Sequence, residues 1–384
     1  MIDIIQILIY LLVFLVIYPF AIYPILLLIL SLTKSKSFQK NNFNPNLTFL
    51  ISAYNEQDYI EKCIRSIYNS EYPNELIKVI VGSDGSNDKT NSILEKLKNE
   101  YETLDYHVYK RIGKNRVLNE LIKLANTDYI YFLDGDMEIP NGTISKIVSY
   151  IADEKVGAAY CNIEMTHNAN ETGGLGEKVY QKFEKFLRVN ESKVFSTVNS
   201  FGATCVRREL IKDGYPDDRV LDDNYIVLSV FNQGFRVAFD SEVIIKELRP
   251  KNLKDEFNRR IRIIAAGLST FAYFKNALLF QKGLFSFFLY SHKIIRIFSP
   301  IYLLLILILS LIIEDTQFGK WALMLQFFFY SSAFAGYALE LLKAKLKIFK
   351  IPLFYIVMNY SFILGIIRFL SNKQNSIWNR KGLE

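Results

Sequence analysis

The sequence is poor in the residues that build disulfide-linked and histidine-based sites. It has three cysteines and three histidines among 384 residues. Cys63, Cys161 and Cys205 are odd in number and lack CxxC spacing, so we expect reduced thiols and neither a disulfide framework nor a zinc site. The histidines lie far apart in the chain, which argues against a histidine metal centre or a histidine-containing catalytic triad.

Charged residues are absent from a long stretch near the beginning of the chain, residues 4–32. About 20 apolar residues are enough for a helix to cross the hydrocarbon core of a membrane. A cleaved signal peptide would have a basic start, a shorter apolar core and a small-residue cleavage site, and this segment does not fit that description. We therefore predict that residues 1–33 form a retained transmembrane anchor.

The rest of the chain divides by composition. Three further apolar segments predict C-terminal transmembrane helices within 298–370, namely 298–313, 321–342 and 351–370. A basic tail, 371–384, follows them. Residues 45–257 have the mixed composition of a soluble domain, which Lys34, Lys36 and Lys40 place in the cytoplasm by the positive-inside rule.

The topology of the C-terminal part stays open at this stage. A full crossing by 351–370 would leave the basic tail outside the cell. That segment is therefore re-entrant, or the first hydrophobic stretch is a hairpin. The net charge of +7 fits contact with anionic lipid headgroups or a phosphorylated substrate, although a solvated basic surface would also account for it, and we expect no nucleic-acid partner.

Strand and helix patterns alternate along the soluble domain. Such alternation predicts an α/β fold with a mostly parallel sheet and helices on both faces. Polar loops at 53–58, 83–88 and 134–138 each follow a predicted strand. Ligands of these sheets bind beyond the carboxyl ends of the strands, so we expect the three loops to share one crevice.

The third loop carries two carboxylates directly after a buried strand, in the sequence YIYFLDGDME. Asp134 and Asp136 could bind a hard cation such as Mg²⁺ or Mn²⁺, which prefers oxygen ligands and often takes only one or two of them from the protein. Gly135 between them allows a tight turn. Taken alone, DGD is more often a turn than a metal site.

Four motifs in register resemble family 2 glycosyltransferases, which have the GT-A fold. In chain order they are FLISAYNEQDYIEKCIRSI, VIVGSDGSNDKT, GKNRVLN and FLDGDMEIP. They resemble the half of these enzymes that binds the nucleotide-sugar. The later segments HKIIRIFSP and NSIWNR are similar to membrane-bound members of the family.

The resemblance implies roles for individual residues of the donor half. It places Ala53, Asn55 and Glu56 at the nucleoside end. It assigns Asp84 to the base, although Ser83 stands where many relatives have a further aspartate.

Around the diphosphate, the resemblance places Lys114 close to the phosphates. Asp136 matches the principal metal ligand of the family. Asp134 would contact the sugar or ribose and share the Mg²⁺ or Mn²⁺ with Asp136.

The acceptor half has a glycine loop and an acidic pair. By resemblance, Gly202 and Ala203 in the segment VNSFGATCVRREL line the acceptor site. Asp222 and Asp223 begin a predicted amphipathic helix, where acidic residues commonly cap the free amides. The family has Glu-Asp here, with the second residue as general base, so we predict Asp223 as the base and Asp222 as its support.

A cluster of arginines precedes the predicted membrane helices. Arg259, Arg260 and Arg262 could bind the diphosphate, because a guanidinium bonds two oxygens at once. Equally, they could belong to an interfacial helix. Processive relatives carry a Gln-x-x-Arg-Trp signature here, and the missing Gln and Trp favour transfer of one or a few sugars. Within 258–297, His292 and its basic neighbours predict an amphipathic helix in the membrane interface.

These observations predict an inverting, metal-dependent glycosyltransferase in a bacterial or archaeal cell membrane, with its catalytic domain in the cytoplasm. The donor would be a nucleotide-sugar, with UDP-sugars favoured, and the acceptor a lipid-linked or growing glycan of the cell surface. One alternative is a processive polysaccharide synthase that also translocates its polymer. An alternative of another class is a non-catalytic membrane scaffold that only binds nucleotide.

Overall fold

The computed structural model describes residues 2–166, 175–216, 219–248, 253–279, 283–342 and 348–372, in which eight strands form one sheet. The strands are β1 (Leu47–Ala53), β2 (Ile77–Asp84), β3 (Leu104–Tyr109), β4 (Tyr129–Leu133), β5 (Met137–Glu138), β6 (Val156–Thr166), β7 (Ala203–Arg207) and β8 (Arg236–Leu248). Their order is β3-β2-β1-β4-β7-β6-β8-β5. The first four are parallel, β7 is antiparallel to β4 and β6, and β8 is parallel to β6. The predicted α/β fold with a mostly parallel sheet is confirmed.

Helices surround the sheet and continue beyond it. They are α1 (Ile2–Ile17), α2 (Ile22–Thr33), α3 (Ile60–Tyr68), α4 (Thr90–Glu100), α5 (Lys114–Leu124), α6 (Thr143–Ile151), α7 (Leu175–Val194), α8 (Asp222–Asn232), α9 (Leu253–Tyr273), α10 (Leu284–Leu289), α11 (Ile295–Ile297), α12 (Ser299–Ile312), α13 (Gln317–Leu341) and α14 (Lys350–Leu370). A π-helical turn, Tyr290–Ile294, joins α10 to α11. Helical spacing in α3 correctly predicts its buried face, formed by Ile60, Ile64 and Ile67.

The sheet is buried on both faces. In β1, Phe49 and Ile51 belong to one hydrophobic cluster, whereas Leu50 between them belongs to the other. Successive side chains of a strand point to opposite faces, so this alternation assigns each cluster to one face. Burial on both faces is typical of parallel strands flanked by helices, and it leaves the strand ends as the place where polar loops can gather.

Helix α8 differs from the amphipathic helix that we predicted. All residues from Asn224 to Phe231 are buried. The helix packs on β6 and β8, and the ring of Phe231 stacks on that of Phe285 with 3.6 Å between their centroids. The prediction was wrong on this point because later segments of the chain cover the face that a helix on the domain surface would expose.

Several helices are long and apolar enough to cross a membrane. Among the described residues, two qualify by length and composition, Gln317–Leu339 and Lys350–Leu370. Two bent pairs qualify if each pair counts as one span. These are α1 with α2, bent by 54°, and the segment Leu284–Ile297 with α12, bent by 57°. The first bend contains Pro19, whose missing amide hydrogen and ring disfavour an uninterrupted helix.

Helix α2 is part of the core of the domain. Tyr23 and Leu27 are fully buried in the hydrophobic cluster that also contains Leu50. The hydroxyl of Tyr23 donates a hydrogen bond of 2.7 Å to Oε1 of Glu191 in α7. The second half of the predicted anchor is thus fixed to the domain that contains the sheet by buried contacts.

A buried ionic network connects α7 to the segment after α10. Nδ1 of His292 lies 2.7 Å from Glu191 Oε1, and its Nε2 lies 3.0 Å from Glu184 Oε2. Arg296 Nη2 lies 2.6 Å from the other oxygen of Glu184. Burial raises the pKa of Glu184, but the charges of Lys293, Arg296 and His292 outweigh this and bring it well below its usual value. His292 and Arg296 therefore contact the domain interior, and not the surface that an amphipathic interfacial helix would present.

Helix α14 lies along α9. A Cβ atom added to Gly365 would come within 2.6 Å of Ile264 Cγ2 and 3.2 Å of the carbonyl oxygen of Ile261. The backbone of α14 therefore lies directly against the side chain of Ile264 in α9. Arg260 contacts Phe354 and the sulfur of Met358 further along α14. Residues 373–384, which contain most of the predicted basic tail, lie outside the described residues.

Candidate active site

The polar loops after β1, β2 and β4 meet at one edge of the sheet, as predicted. The backbone amide of Asn55 donates to Ser86 Oγ at 3.1 Å, and Asn55 Oδ1 accepts from the amide of Asn87 at 3.0 Å. Asn55 holds a positive φ of 52°, a conformation that asparagine tolerates better than most residues. Ala53 is buried beside Ser83 in the β1–β2 pairing. Ala53 and Asn55 thus fix the position of the second loop against the first.

Asp84 is only 1% exposed and organises a fourth loop, the one after β3. Its carboxylate accepts hydrogen bonds from the amides of Ile112 at 2.7 Å and Gly113 at 3.1 Å, and it pairs with the guanidinium of Arg111. That guanidinium lies over the ring of Tyr54, 3.4 Å from its centroid. Our sequence predictions missed Arg111 and Tyr54. Had β3 been recognised as a parallel strand, the loop after it would have been predicted at the same edge of the sheet.

Cys63 lies close to the turn that follows β4, and its sulfur is 3.6 Å from the carbonyl oxygen of Asp134. Burial raises the pKa of the Cys63 thiol well above its usual value, and the charges of Asp136, Glu56 and Asp134 raise it further. Glu56 is buried, and its Cγ would lie 3.4 Å from a Cβ at Gly135. Glu56, which the resemblance placed at the nucleoside end, therefore reaches the DGD turn.

The carboxylates fit a cation that is shared with a substrate. The described residues contain no group of three histidine, cysteine or acidic side chains that could enclose a metal ion. Mg²⁺ and Mn²⁺ in phosphate sites commonly take only one or two carboxylates, and phosphate and water supply the other oxygens. Asp134 and Asp136, one residue apart at the end of β4, are the side chains that would hold such an ion.

Lys114 links the loop after β4 to the acidic pair at the start of α8. Its Nζ lies 2.6 Å from Asp134 Oδ1 and 2.6 Å from Asp222 Oδ2. Burial lowers the pKa of Lys114, but the charges of Asp134, Asp222 and Asp223 outweigh it and raise this pKa well above its usual value. Lys114 is therefore a permanent cation between carboxylates from two halves of the domain.

Gly202 lies so close to Asp134 that this position has no room for a side chain. The amide of Asp134 donates to the Gly202 carbonyl at 3.1 Å, and a Cβ at Gly202 would overlap Asp134 Oδ2. Ala203 is buried in β7, where it pairs with Leu133. Gly202 thus lines the same cavity as Asp134, whereas Ala203 supports it from within the sheet.

Asp222 and Asp223 begin α8, and their environments separate their pKa values. Helix α8 has no side-chain capping bond at Leu221, the residue before it. Burial raises the pKa of Asp222, but Lys114 outweighs this and lowers it below its usual value. The pKa of Asp223 is well above its usual value because it is buried and close to Asp222. The pair thus has one carboxylate that remains charged and one that binds a proton readily.

Of the three arginines predicted for the diphosphate, Arg262 is close enough to Asp222 and Asp134 to be affected by their charges. Burial lowers the pKa of Arg262 and the charge of Arg259 lowers it further, whereas Asp222 and Asp134 raise it. Arg259 lies 3.5 Å from Glu247 Oε1 at the end of β8. Arg260 contacts α14 instead. It points away from Arg262, because residues two apart on a helix point in different directions.

One small cavity is lined by residues that the sequence analysis assigned to the donor and by residues that it assigned to the acceptor. Its polar lining includes Ser52, Lys114, Asp134, Gly202, Tyr215, Asp222 and Asp223. A larger cavity, about 730 Å³, lies at the opposite edge, near the amino ends of β1 to β4. Its lining includes Lys78 and Asp128 and none of the predicted site residues. The candidate active site is therefore the smaller cavity, at the carboxyl ends of the strands.

Comparison with known proteins relates the sequence to a family of transferases. Residues 48–214 match the family model described as Glycosyl transferase family 2. The poly-beta-1,6-N-acetyl-D-glucosamine synthase of Staphylococcus aureus strain MSSA476 is 25% identical over 226 residues, which are 58% of this chain and 54% of the relative. The synthase of the same name from Staphylococcus epidermidis is 24% identical over 228 residues, with the same coverage. The chain spans about half the length of the curated relatives it matches.

A solved structure shares the fold over nearly the whole chain. It is the mannosyltransferase PcManGT from Pyrobaculum calidifontis, in complex with GDP-Man and Mn²⁺. The TM-score is 0.70 at 23% identity, and the match covers 96% of this chain and 100% of the other. At this identity the similarity shows the fold alone, and it confirms the predicted GT-A architecture together with its additional helices.

Proposed function

We propose that the protein transfers a sugar from a nucleotide-sugar to a lipid-linked or growing glycan, with inversion at the anomeric carbon; the match of residues 48–214 to the model of family 2 glycosyltransferases supports this. One observation carries this proposal. Lys114 bridges Asp134, on the donor side, to Asp222, which adjoins the proposed base Asp223. The groups needed for both substrates thus lie in one cavity.

In the proposed reaction, Asp223 acts on the acceptor. The acceptor hydroxyl oxygen forms a bond to the anomeric carbon, and Asp223 accepts the hydroxyl proton. The bond from that carbon to the diphosphate oxygen breaks, and the nucleoside diphosphate leaves with the electron pair. The raised pKa of Asp223 suits this role, because a carboxylate that binds a proton more strongly is a better base.

Cationic side chains stabilise the leaving diphosphate. Lys114 contacts Asp134, and the charges of Asp134 and Arg259 both act on Arg262. A guanidinium can bond two phosphate oxygens, so this set needs no acid to protonate the leaving group. Mg²⁺ or Mn²⁺ held by Asp134 and Asp136 would supply further positive charge to the diphosphate.

The nucleoside is proposed to bind at the loops after β1, β2 and β3. The ring of Tyr54 offers a flat surface for stacking, next to the polar groups of Arg111 and Asp84. Asn55 orders the second of these loops. We favour a UDP-sugar as the donor, and the names of the curated relatives make N-acetylglucosamine the first sugar to try.

Processive synthesis is the second candidate. The relatives from Staphylococcus are named as synthases of a polymer, which favours it. The arginine segment of this chain lacks the Gln and Trp of the processive signature, which favours transfer of one or a few sugars. In either case we propose that the domain lies on the cytoplasmic side of the membrane, because Lys34, Lys36 and Lys40 follow the first apolar segment.

The experiment uses the full chain purified into lipid nanodiscs. Labelled UDP- and GDP-sugars are supplied with Mg²⁺, with Mn²⁺ or with a chelator, and a lipid extract provides acceptors. Asp223→Asn serves as the blank, and it should lose at least roughly 100-fold in turnover while nucleotide binding persists. The labelled product is then measured for size and solubility.

The outcomes separate the candidates. A short, organic-soluble product supports single transfer to a lipid-linked acceptor, and a long, water-soluble product supports the processive synthase. Retained turnover in Asp223→Asn would remove the proposed base. Nucleotide binding without turnover in the wild type, with every sugar and acceptor, would favour a non-catalytic scaffold. Equal turnover with chelator and with metal would exclude the proposed metal dependence.

A further inference from the structure

The hydroxyl of Tyr215 is a buried polar group at the candidate active site. Tyr215 lines the small cavity and is only 4% exposed. Among the residues that the structure describes, none forms a hydrogen bond with its hydroxyl. Leaving a buried hydroxyl without a partner costs roughly 1–3 kcal/mol, so one that lines a cavity at the candidate site is a good candidate to bind a ligand there.

The backbone of Tyr215 is fixed by Asn119 of helix α5. Asn119 Oδ1 accepts from the amide of Tyr215 at 2.7 Å, and its Nδ2 donates to the Tyr215 carbonyl at 2.9 Å. Gly214 has a φ of +68°, and a Cβ there would overlap Asn119 Oδ1. The residue before Tyr215 is thus a glycine for both conformational and steric reasons, and the side chain of Tyr215 starts from a rigid position.

The ring of Tyr215 is held between two elements of the site. Its centroid lies 6.3 Å from that of Phe132 in β4 and 5.1 Å from that of Tyr225 in α8. Phe132 precedes Asp134 by two residues, and Tyr225 follows Asp223 by two. A tyrosine fixed in this way loses little further conformational entropy when its hydroxyl binds a ligand.

Charges around the hydroxyl keep it protonated. Burial raises the pKa of Tyr215 well above its usual value, Asp222 and Asp223 raise it further, and Lys114 opposes them. Tyr215 lines the same small cavity as Asp222, Asp223 and Lys114, so these charges are close to its side chain. At neutral pH it remains a hydrogen-bond donor.

We propose that Tyr215 determines donor specificity by donating a hydrogen bond to one hydroxyl oxygen of the sugar being transferred. The inference rests on the proposed function and names a contact for its donor. The donor sugar is favoured over the acceptor because two of the three residues that hold Tyr215, Asn119 and Phe132, belong to α5 and β4, the elements that position Lys114 and Asp134. A hexose or N-acetylhexosamine presents hydroxyls of the required kind at several ring positions.

The test is Tyr215→Phe with a series of deoxy donors. Each donor lacks one hydroxyl of the sugar that the wild type uses. In the wild type, one deoxy donor should lose roughly 10- to 100-fold in kcat/KM, because it leaves the Tyr215 hydroxyl unpaired. In Tyr215→Phe, the natural donor should lose a similar factor, and that same deoxy donor should lose nothing more. Binding of the nucleoside diphosphate, which has no sugar, should be unchanged.

Tyr131→Phe is the matched control. The Tyr131 hydroxyl is also buried without a partner among the described residues, but its ring stacks on Phe49 in the hydrophobic core. This variant should keep wild-type kinetics with every donor. Neither variant should have a lower melting temperature than the wild type, because each removes a buried hydroxyl that has no partner among the described residues. Weakened nucleoside diphosphate binding or an equal loss with all donors in Tyr215→Phe would assign Tyr215 a structural role and overturn the proposal.

The results that would overturn this inference can be told apart from those that would overturn the proposed function. A wild type that is inactive with every nucleotide-sugar would overturn both. An active wild type whose deoxy-donor profile is the same as that of Tyr215→Phe would overturn the inference alone. A profile that changes only with deoxy acceptors would assign the hydroxyl to the acceptor, and would likewise overturn it.

Discussion

Lys114 lies between two carboxylates that serve different substrates in the proposed reaction. Asp134 lies at the donor, and Asp222 lies beside the proposed base for the acceptor. In the structure it neutralises Asp134 and Asp222 at the same distance of 2.6 Å. A diphosphate bound at Asp134 would offer this cation further oxygens. Lys114 therefore connects the charge of the bound donor to the acidic pair that acts on the acceptor.

The first prediction at the residue scale concerns pH. Asp223 must be ionised to accept a proton, so turnover should fall as the pH is lowered through its raised pKa. Burial raises the pKa of Asp223 and the charge of Asp222 raises it further. Asp222→Asn removes that charge, so the acidic limb of kcat/KM should move to lower pH while measurable turnover remains. An acidic limb that stays in place or moves to higher pH would contradict this cause of the shift.

The sequence predicts those site residues whose chemistry is visible in a short motif. Asp134 and Asp136 stand out because a buried strand gives no reason for two carboxylates, and Asp223 stands out beside Asp222 at a helix start. Arg111 and Tyr54 could not be found in this way, because they meet only when the loop after β3 folds against the first loop. Tyr215 was missed because only the fold shows that its hydroxyl faces a cavity.

At the scale of elements, the contact between α9 and α14 links the active site to the helices outside the sheet. Arg259 and Arg262 are carried by α9, whose other side packs on α14. The two helices come close together at Gly365, where α14 leaves no space for a side chain beside Ile264. The position of the arginines therefore depends on how closely the two helices pack.

Gly365→Val tests this dependence. The added side chain would be forced against Ile264 and the Ile261 carbonyl, and overpacking of this kind costs about 1–3 kcal/mol. We expect a lower melting temperature and a higher KM for the donor, since α9 must move. Ile367→Val, at an exposed position of the same helix, is the control and should change neither quantity. Normal donor KM in Gly365→Val would show that the arginines are positioned without α14.

Element predictions succeeded where a pattern is local and failed where a distant segment covers the element. The alternation of strands and helices in the first half follows directly from short periodic patterns. Helix α8 was predicted as amphipathic because its sequence gives no sign that Phe285 will stack on Phe231. The segment around His292 was predicted at a membrane surface because its partners, Glu184 and Glu191, lie about 100 residues earlier in the chain.

At the scale of the whole molecule, the buried ionic network joins three distant parts of the chain. Glu191 receives hydrogen bonds from Tyr23 in α2 and from His292 after α10. Glu184 pairs with His292 and Arg296. The first apolar segment, the domain that contains the sheet and the segment leading to α12 are thus connected through two carboxylates of α7.

His292→Phe tests how much this connection stabilises the protein. Phenylalanine keeps most of the volume but leaves Glu184 and Glu191 without the imidazole, and breaking a buried charged pair costs about 3–5 kcal/mol. The melting temperature in nanodiscs should fall strongly. Tyr23→Phe removes a single hydrogen bond and should cost about 1 kcal/mol. Equal melting temperatures for His292→Phe and the wild type would show that the network is not a source of stability.

The packing of α14 on α9 also has a consequence for biosynthesis. A ribosome releases α9 before it begins α14, so the growing chain first exposes the surface of α9 that Gly365 later covers. The arginine-bearing helix reaches its final position only when α14 has been made and has docked. Premature termination before residue 350 would therefore yield a product that retains every residue proposed for catalysis and still has an unfinished active site.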